Sequence, residues 1–362
     1  MECFGLDGGF SASKFTCRNG QYCFVGLQNL LCISEQAFRK KPRLCAQETD
    51  KESGTRCGHV AIIGKSNVGK STLMNHLVGE KIAIVTPKVQ TTRNRIVGIA
   101  TEKETQIIFL DTPGIFNPKL RFDRAMVDSA WTSAAEADMI ALMFDLPQFK
   151  ARKMEIDKLH EEIKSRITAI QKKRSRDVIL IMNKVDLMTK KDAASASDVL
   201  SEFFSDVRPV DQFAISATRG DSVQDLKNCL ADTLPEGPWL YPDDEMTTLP
   251  ARLMAAEVTR EKVFLQLKQE LPYSVAVDTI AWEEYRNGSV RIDQEIFVQR
   301  QSQKGIVMGK NGTRIKALGV ASREDIEELL GRKVHLFLHV KVRSDWQDRR
   351  DMYLPWGLNY NA

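Results

Sequence analysis

No apolar run in this 362-residue chain approaches the roughly 18 positions that a membrane-spanning helix needs. An integral helical membrane protein is thereby excluded, leaving a soluble chain or one at most peripheral to a bilayer. Excess charge of one sign is also missing: the formal net charge is +4, so overall electrostatics point to no partner class. Cysteine is scarce in the body of the chain. Cys3, Cys17, Cys23, Cys32, Cys45 and Cys57 all precede residue 58, and only Cys229 follows. Their spacings fit no zinc pattern and supply no disulfide framework, so they read as free thiols. Acids are sparse in the leader, residues 1–57, where only Glu2 and Asp7 precede Glu35 and Arg39-Lys40-Lys41-Pro42-Arg43 forms a basic cluster. The leader has no clear periodicity. A targeting extension and a misplaced upstream start codon explain it about equally well.

What is present begins at Gly64-Lys65-Ser66-Asn67-Val68-Gly69-Lys70-Ser71, preceded by the apolar run Val60-Ala61-Ile62-Ile63 and followed by the helical pattern Thr72 to Leu77. Strand, glycine-rich loop and helix in that order make a phosphate cradle. Backbone N–H groups face phosphate oxygens, Gly64 and Gly69 permit close approach, and the helix N-terminus adds favourable dipole charge. Lys70 would reach the outer phosphates and Ser71 would offer its hydroxyl to Mg²⁺. Three further segments follow in chain order, each at the end of an apolar strand. Asp111-Thr112-Pro113-Gly114 would place the Asp111 carboxylate near the metal, usually through water, and the Gly114 N–H at the γ-phosphate. Asn183-Lys184-Val185-Asp186 supplies a carboxylate able to accept both the ring N–H and the exocyclic amine of guanine, donors adenine does not present there. Ser216-Ala217-Thr218 can offer the Ala217 N–H to the guanine oxygen. The expected ligand is therefore GTP.

Between the first helix and the next strand lies the polar segment Thr86 to Arg95, in which Gln90, Thr91, Thr92, Arg93 and Asn94 are the switch candidates. Such segments become ordered around the γ-phosphate and its cation. Thr92 is the expected metal-binding hydroxyl, with Thr91 its competitor. Lys70, Thr92 and Gly114 form the candidate catalytic set, and Ser71, Thr92 and Asp111 the candidate magnesium set. Ile115 stands where small signalling GTPases carry a water-orienting glutamine, so the nucleophilic water needs backbone groups or a bound partner to hold it.

Strands are expected near 59–64, 95–101, 106–112, 139–145, 177–184 and 211–217, with helices near 70–79, 124–135, 152–171, 192–204 and 222–234. This alternation predicts an α/β fold with a doubly wound, mostly parallel sheet and ligand loops at the strand C-termini. The first domain spans 58–234, a polar connector 235–249, a smaller α+β domain 250–345 and a tail 346–362. In the second domain a helix over 251–271 carries Leu253, Ala256, Phe264, Leu267 and Leu271 on one face, interrupted by Glu257 and Arg260, which can pair. Alternating strands follow at Val290 to Val298 and Val334 to Val342. Between them lies Gly309-Lys310-Asn311-Gly312 with Arg314 and Lys316 downstream, and no acid from Lys304 to Lys316. Two glycines bracketing two polar residues between helices form the loop by which KH domains clamp about four nucleotides of single-stranded backbone. The element order around it is that of a type II KH domain. Gln171 to Arg176 reads as a solvated basic helix end more readily than as an RNA contact. Trp346 and Trp356 read as packing aromatics more readily than as base-stacking ones.

Gln90-Thr91-Thr92-Arg93 with Asp111-Thr112-Pro113-Gly114-Ile115 resembles the Era family of ribosome-assembly GTPases. Leu234-Pro235-Glu236-Gly237-Pro238-Trp239 and Leu271-Pro272-Tyr273-Ser274 resemble its alphaproteobacterial branch. The resemblance runs from about Gly58 to about Trp346. It implies binding of the 3′ region of small-subunit rRNA, a role in maturing a 30S-type subunit, a monomeric state and a cytoplasmic, ribosome-associated location that can include the inner membrane surface. If the leader is a transit peptide, the mitochondrial matrix or another organelle is the compartment. In related GTPases an asparagine at the place of Asn67 helps hold a potassium ion, against which stands a simple turn-capping role. Equal turnover in sodium and potassium buffers would remove the potassium reading. Ser66 departs from the proline common in the family.

Overall fold

The runs Val60-Ala61-Ile62-Ile63, Ile107-Ile108-Phe109-Leu110 and Val178-Ile179-Leu180-Ile181 are too uniformly apolar for a sheet with one wet face. In the computed structural model they are inner strands of a six-stranded sheet. The structure describes residues 54–362 apart from 89, 268–270 and 354–355. The leader before residue 54, with its basic cluster and its cysteines before Cys57, and Val89 of the switch segment therefore lie outside the described residues.

The first half runs β1 (Arg56–Gly64), α1 (Lys70–Val78), β2 (Ile96–Glu102), β3 (Thr105–Asp111), α2 (Arg121–Glu136), β4 (Met139–Asp145), α3 (Leu146–Ala151), α4 (Lys158–Lys173), β5 (Asp177–Asn183), α5 (Lys190–Phe203), β6 (Asp211–Ile215) and α6 (Val223–Thr233). Spatial order is β2-β3-β1-β4-β5-β6, with β2 antiparallel to β3 and the other pairs parallel. Alternation along each strand feeds two cores. Val60 and Ile62 join Leu73, Met74, Leu226 and Leu230 from α1 and α6 on one face. Ala61 and Ile63 join Ala130, Ile163, Ile167 and Leu200 from α2, α4 and α5 on the other. With both faces covered, function is confined to the loops at the strand ends.

The helix expected over 152–171 begins only at Lys158, and a short helix that was not expected, α3, ends just before it at Ala151. Asp145 caps α3, accepting the Gln148 N–H at 2.9 Å, and Pro147 in the first turn has no intrahelical donor to lose. Lys153 and Met154 then take positive φ, and the chain restarts at Asp157, whose carboxylate accepts from the N–H groups of Leu159 and His160.

The second half contains α7 (Ala251–Gln266), β7 (Ala276–Glu284), β8 (Val290–Val298), α8 (Gln301–Met308), α9 (Thr313–Leu330) and β9 (Val334–Val342). Its sheet has the order β7-β8-β9, antiparallel then parallel. Ala256 and Val263 of α7, Val307 of α8 and Leu318 of α9 cover one sheet face through Val277, Ile296, Val298 and Val340. α7 stops at Gln266, short of the predicted end, and a 3₁₀ turn begins at Leu271. Every residue from Ala255 to Glu261 in α7 is buried, because the helix is covered by its own sheet on one side and by the first half of the chain on the other. Glu257 and Arg260 pair there as expected.

Two segments that read as linker and tail in the sequence pack against the first half. In the connector, Ile99 donates to Met246 O at 2.8 Å, and the Gln106 amide bonds Leu240 and Tyr241. The tail folds back so that Trp346, Tyr353 and Trp356 surround Phe122 of α2, with ring centroids 5.4 to 5.6 Å away. Trp346 is fully buried and donates Nε1–H to Ser274 O at 2.9 Å. Both tryptophans are thus packing residues, and in this arrangement their faces are not offered to bases.

Candidate functional site

Four strand ends converge at one edge of the large sheet. β1 ends at Gly64, β3 at Asp111 and β5 at Asn183, while Ser216 follows β6 directly. The loop after β1 wraps the N-terminus of α1. Gly69 takes φ +105°, and a Cβ there would meet Asn183 Nδ2 at 2.4 Å, so only glycine fits. Asn183 clamps this end of the site, donating to Val68 O at 2.7 Å and accepting the Ala217 N–H at 3.0 Å. The Ala217 N–H is the group expected from the sequence to meet the guanine oxygen. Here the carboxamide of Asn183 takes it and ties two ligand loops together. Lys184 joins the same brace, reaching Asn67 O and Asp145.

At the phosphate end, Lys70 is buried with its ammonium on Gly64 O (3.2 Å) and Lys65 O (3.0 Å). Desolvation pushes its pKa down to about 8 against the opposing pull of Asp111. Ser71 Oγ lies 2.6 Å from Asp111 Oδ2 and 2.8 Å from Thr92 Oγ1, and Thr92 Oγ1 lies 3.3 Å from the same carboxylate oxygen. Three oxygens from three separate segments meet at one point. Asp111 Oδ1 is buried with no hydrogen-bond partner, and burial raises the carboxyl's pKa despite the neighbouring ammonium and hydroxyls. Two hydroxyls and an undersatisfied carboxylate are the hard donor set that suits Mg²⁺. Thr91 is turned inward, bonded to Thr86 Oγ1 and Lys88 O, so Thr92 alone of the two faces the metal point.

Several sequence candidates contribute backbone rather than side chain. Lys65 sends its ammonium away from the phosphates to the Asp157 carboxylate (2.7 and 2.9 Å). Thr112 Oγ1 donates to Ile62 O, and Val68 and Ile115 are buried in the two cores. The Ile115 N–H donates to Gly64 O at 3.0 Å, and Pro113 and Gly114 are buried beside it. A Cβ on Gly114 would strike the Ser66 backbone at 2.6 Å, so glycine is required where the two loops touch. Asn67, at φ 64°, donates its amide to Pro87 O. Gln90 reaches Asp123 at 3.3 Å, and Asn94 is buried. Val185 and Asp186 lie in a 3₁₀ turn after β5, and Arg219 Nε approaches Asp186 Oδ2 at 3.7 Å. Sequence reasoning missed Arg219. Its position one residue past Thr218 was the only signal.

Beneath the loop, the half-buried Lys65 and Asp157 form a brace with the buried His160. Desolvation, helped by the Lys65 charge, lowers the His160 pKa to about 4. Desolvation opposes ionisation of Asp157, yet the Lys65 ammonium and the His160 N–H hold it down to about 2. Because the unfolded histidine titrates near 6.5, the His160 contribution is fully present above that pH and is lost as pH falls toward 4. About 3 kcal/mol of stability should disappear across that window. Chemical denaturation of His160→Gln at pH 7 and pH 4.5 should give a shallower loss than the parent; an equal slope would place the acid sensitivity elsewhere.

In the second half, Gly309 (φ 70°) and Gly312 (φ 73°) bracket a 3₁₀ turn between α8 and α9, with Asn311 also at positive φ. Lys310, Asn311, Arg314 and Lys316 are exposed around it. Thr313 Oγ1 donates to Lys310 O and Arg314 to Ile306 O, fixing the turn from below. The turn therefore presents backbone and positive charge outward, as a phosphate-tracking loop must.

Residues 59–184 match the family described as 50S ribosome-binding GTPase, and residues 270–347 match the KH domain family. The chain is 48% identical over 308 residues to GTPase Era of Bradyrhizobium diazoefficiens, covering 85% of this chain and 96% of that protein. It is 46% identical over 319 residues to GTPase Era of Caulobacter vibrioides, covering 87% and 100%. A crystal structure of Era in complex with MgGDPNP and nucleotides 1506–1542 of 16S ribosomal RNA superposes with TM-score 0.76 at 37% identity, over 84% of this chain and 99% of that one. A point variant of Aquifex aeolicus Era bound to GDP·AlF4⁻ gives the same TM-score, identity and coverage. With a glycine-rich loop between strand and helix and a glycine-bracketed basic loop on one chain, and relatives of this similarity along nearly their whole length, the protein belongs to the Era family of GTPases, its GTPase domain followed by a KH domain.

Proposed function

We propose that this GTPase grips the 3′ region of small-subunit ribosomal RNA through the turn at 309–312, in a nucleotide-dependent way, and acts in maturation of a 30S-type subunit. The observation that carries the reading is the placement of the switch segment, wedged between the phosphate loop and α7. Thr92 meets Ser71 and Asp111, while Thr91 O accepts from Arg260 of α7 at 2.6 Å. A change at the γ-phosphate therefore has a direct route to the RNA-binding half through this segment. The Era relative crystallised with MgGDPNP and 16S rRNA nucleotides supports the choice of both ligands.

In hydrolysis the chain positions more than it reacts. Ser71, Thr92 and Asp111 would hold Mg²⁺, which when bound neutralises charge between the β- and γ-phosphates. Lys70 and the N–H groups of the loop bind the outer phosphates, and the Gly114 N–H faces the γ-phosphate. The attacking water receives no side chain from position 115, where Ile115 is buried. Turnover by the free protein is slow on this reading and rises with bound RNA. The Asn67 carbonyl oxygen is the group that would meet a potassium ion, since its amide nitrogen is engaged by Pro87 O.

Gly312→Asp tests the RNA half. A side chain there meets open space apart from Ile315 Cγ2 at 3.9 Å, so the fold survives while a carboxylate enters the phosphate path at an unfavourable φ. Binding of an rRNA 3′-end oligomer should fall by about 10²-fold, with basal GTP hydrolysis within about twofold of the parent. Unchanged RNA affinity would refute the assignment, and crosslinking followed by sequencing of bound RNA would name the true target.

A further inference from the structure

Arg93 follows Thr92 directly, and its environment is unusual for an arginine. The side chain is almost fully buried. Its guanidinium donates to Val275 O at 2.6 Å and to Tyr273 O at 3.0 Å, both from the segment between α7 and β7. The rings of Phe264, Trp346 and Phe122 lie 5.5, 5.6 and 5.9 Å from it. Two more contacts flank the same stretch. Arg260 holds Thr91 O, and Lys88 donates to the carbonyls of Phe264 and Leu267, where α7 leaves its last C=O groups unpaired and its dipole is negative.

The threonine hydroxyl expected at the metal is thus gripped from behind at 88, 91 and 93 by the C-terminal half. A planar peptide joins Thr92 to Arg93, so fixing one limits where the other can stand. A guanidinium serving two carbonyls and lying among three rings has little orientational freedom, and an ammonium could not reproduce that fork. We propose that Arg93 is the positioning residue for Thr92: through it, the KH domain and the tail set where the Thr92 hydroxyl stands when a triphosphate and its cation bind. This rests on the reading of Thr92 as a metal ligand given above. The C-terminal half then supports binding of the triphosphate and not of GDP, because Thr92 is needed only in the triphosphate state.

The test uses the full chain as the parent, Thr92→Ala, Arg93→Lys and Phe264→Leu. Dissociation constants for GDP and for a nonhydrolysable GTP analogue are measured across a Mg²⁺ titration, with thermal melting as a check on folding. Arg93→Lys should weaken analogue binding by about fivefold or more, the loss of roughly one charged hydrogen bond. GDP binding should stay within about twofold, and half-saturation with Mg²⁺ should move to higher concentration only with the analogue. Phe264→Leu, remote from the phosphates, should shift the same quantities in the same direction, and it carries the test if Arg93→Lys fails to fold. Equal losses for both nucleotides, or none, in a folded Arg93→Lys or Phe264→Leu would overturn the proposal while Thr92→Ala still showed an analogue-selective loss. No selective loss in Thr92→Ala would instead remove the metal-ligand reading, and the proposal with it.

Discussion

Asp186→Asn should lose GTP affinity by about 10²–10⁴-fold and gain affinity for xanthosine triphosphate. The carboxylate offers two acceptors to the two donors on one edge of guanine. An asparagine in its place turns one acceptor into a donor, which faces the guanine amine and leaves both unpaired in a partly buried site. Xanthine carries a carbonyl where guanine carries that amine, so the changed side chain pairs with it again. Asn183 and Lys184 hold the rest of the loop independently of Asp186, so the phosphate end should stay intact. Competition of GTP and XTP against a fluorescent nucleotide measures the exchange. A variant that keeps GTP affinity within about threefold would mean Asp186 does not read the base.

Trp346→Ala should cost about 3–5 kcal/mol of stability, the range for removing a buried aromatic. In a chain of this size that lowers the melting temperature by roughly 6–15 °C. The indole packs in the aromatic cluster joining α2 to the tail, 5.6 Å from Phe122 and 6.0 Å from Trp356, with its N–H satisfied by Ser274 O. Truncation leaves a cavity between the halves and an unpaired carbonyl. Calorimetric unfolding measures the loss. Weakened RNA binding at an unchanged melting temperature would favour base stacking over packing.

The sequence made the nucleotide edge legible because each ligand segment ends an apolar strand, and in a parallel sheet those ends share one side. Ser71, Thr92 and Asp111, from three segments, therefore meet at one point. Side-chain direction was not legible. Lys65 lies in the phosphate loop yet serves Asp157, and Thr112 serves Ile62 O, since each is decided by partners far along the chain. The short α3 and the late start of α4 were hidden because Pro147 and Asp157 signal helix starts only once Lys153 and Met154 are known to take positive φ. α7 misled in another way: a helix buried on two sides has no single apolar face, and its Glu257 and Arg260 face a neighbour that periodicity cannot reveal. In the tail, Trp346 and Trp356 read as packing aromatics, but their partner was not legible, because Phe122 lies far earlier in the chain.

Coupling between the two ligands runs through residues 86–95, which touch the phosphate loop on one side and the RNA-binding half on the other. Its most direct test is calorimetric titration of an rRNA 3′-end oligomer into the protein loaded with a nonhydrolysable GTP analogue and, separately, with GDP. Binding at least about tenfold tighter in the analogue state, a difference of about 1.4 kcal/mol, is the expected result. Equal affinities in the two states would contradict it.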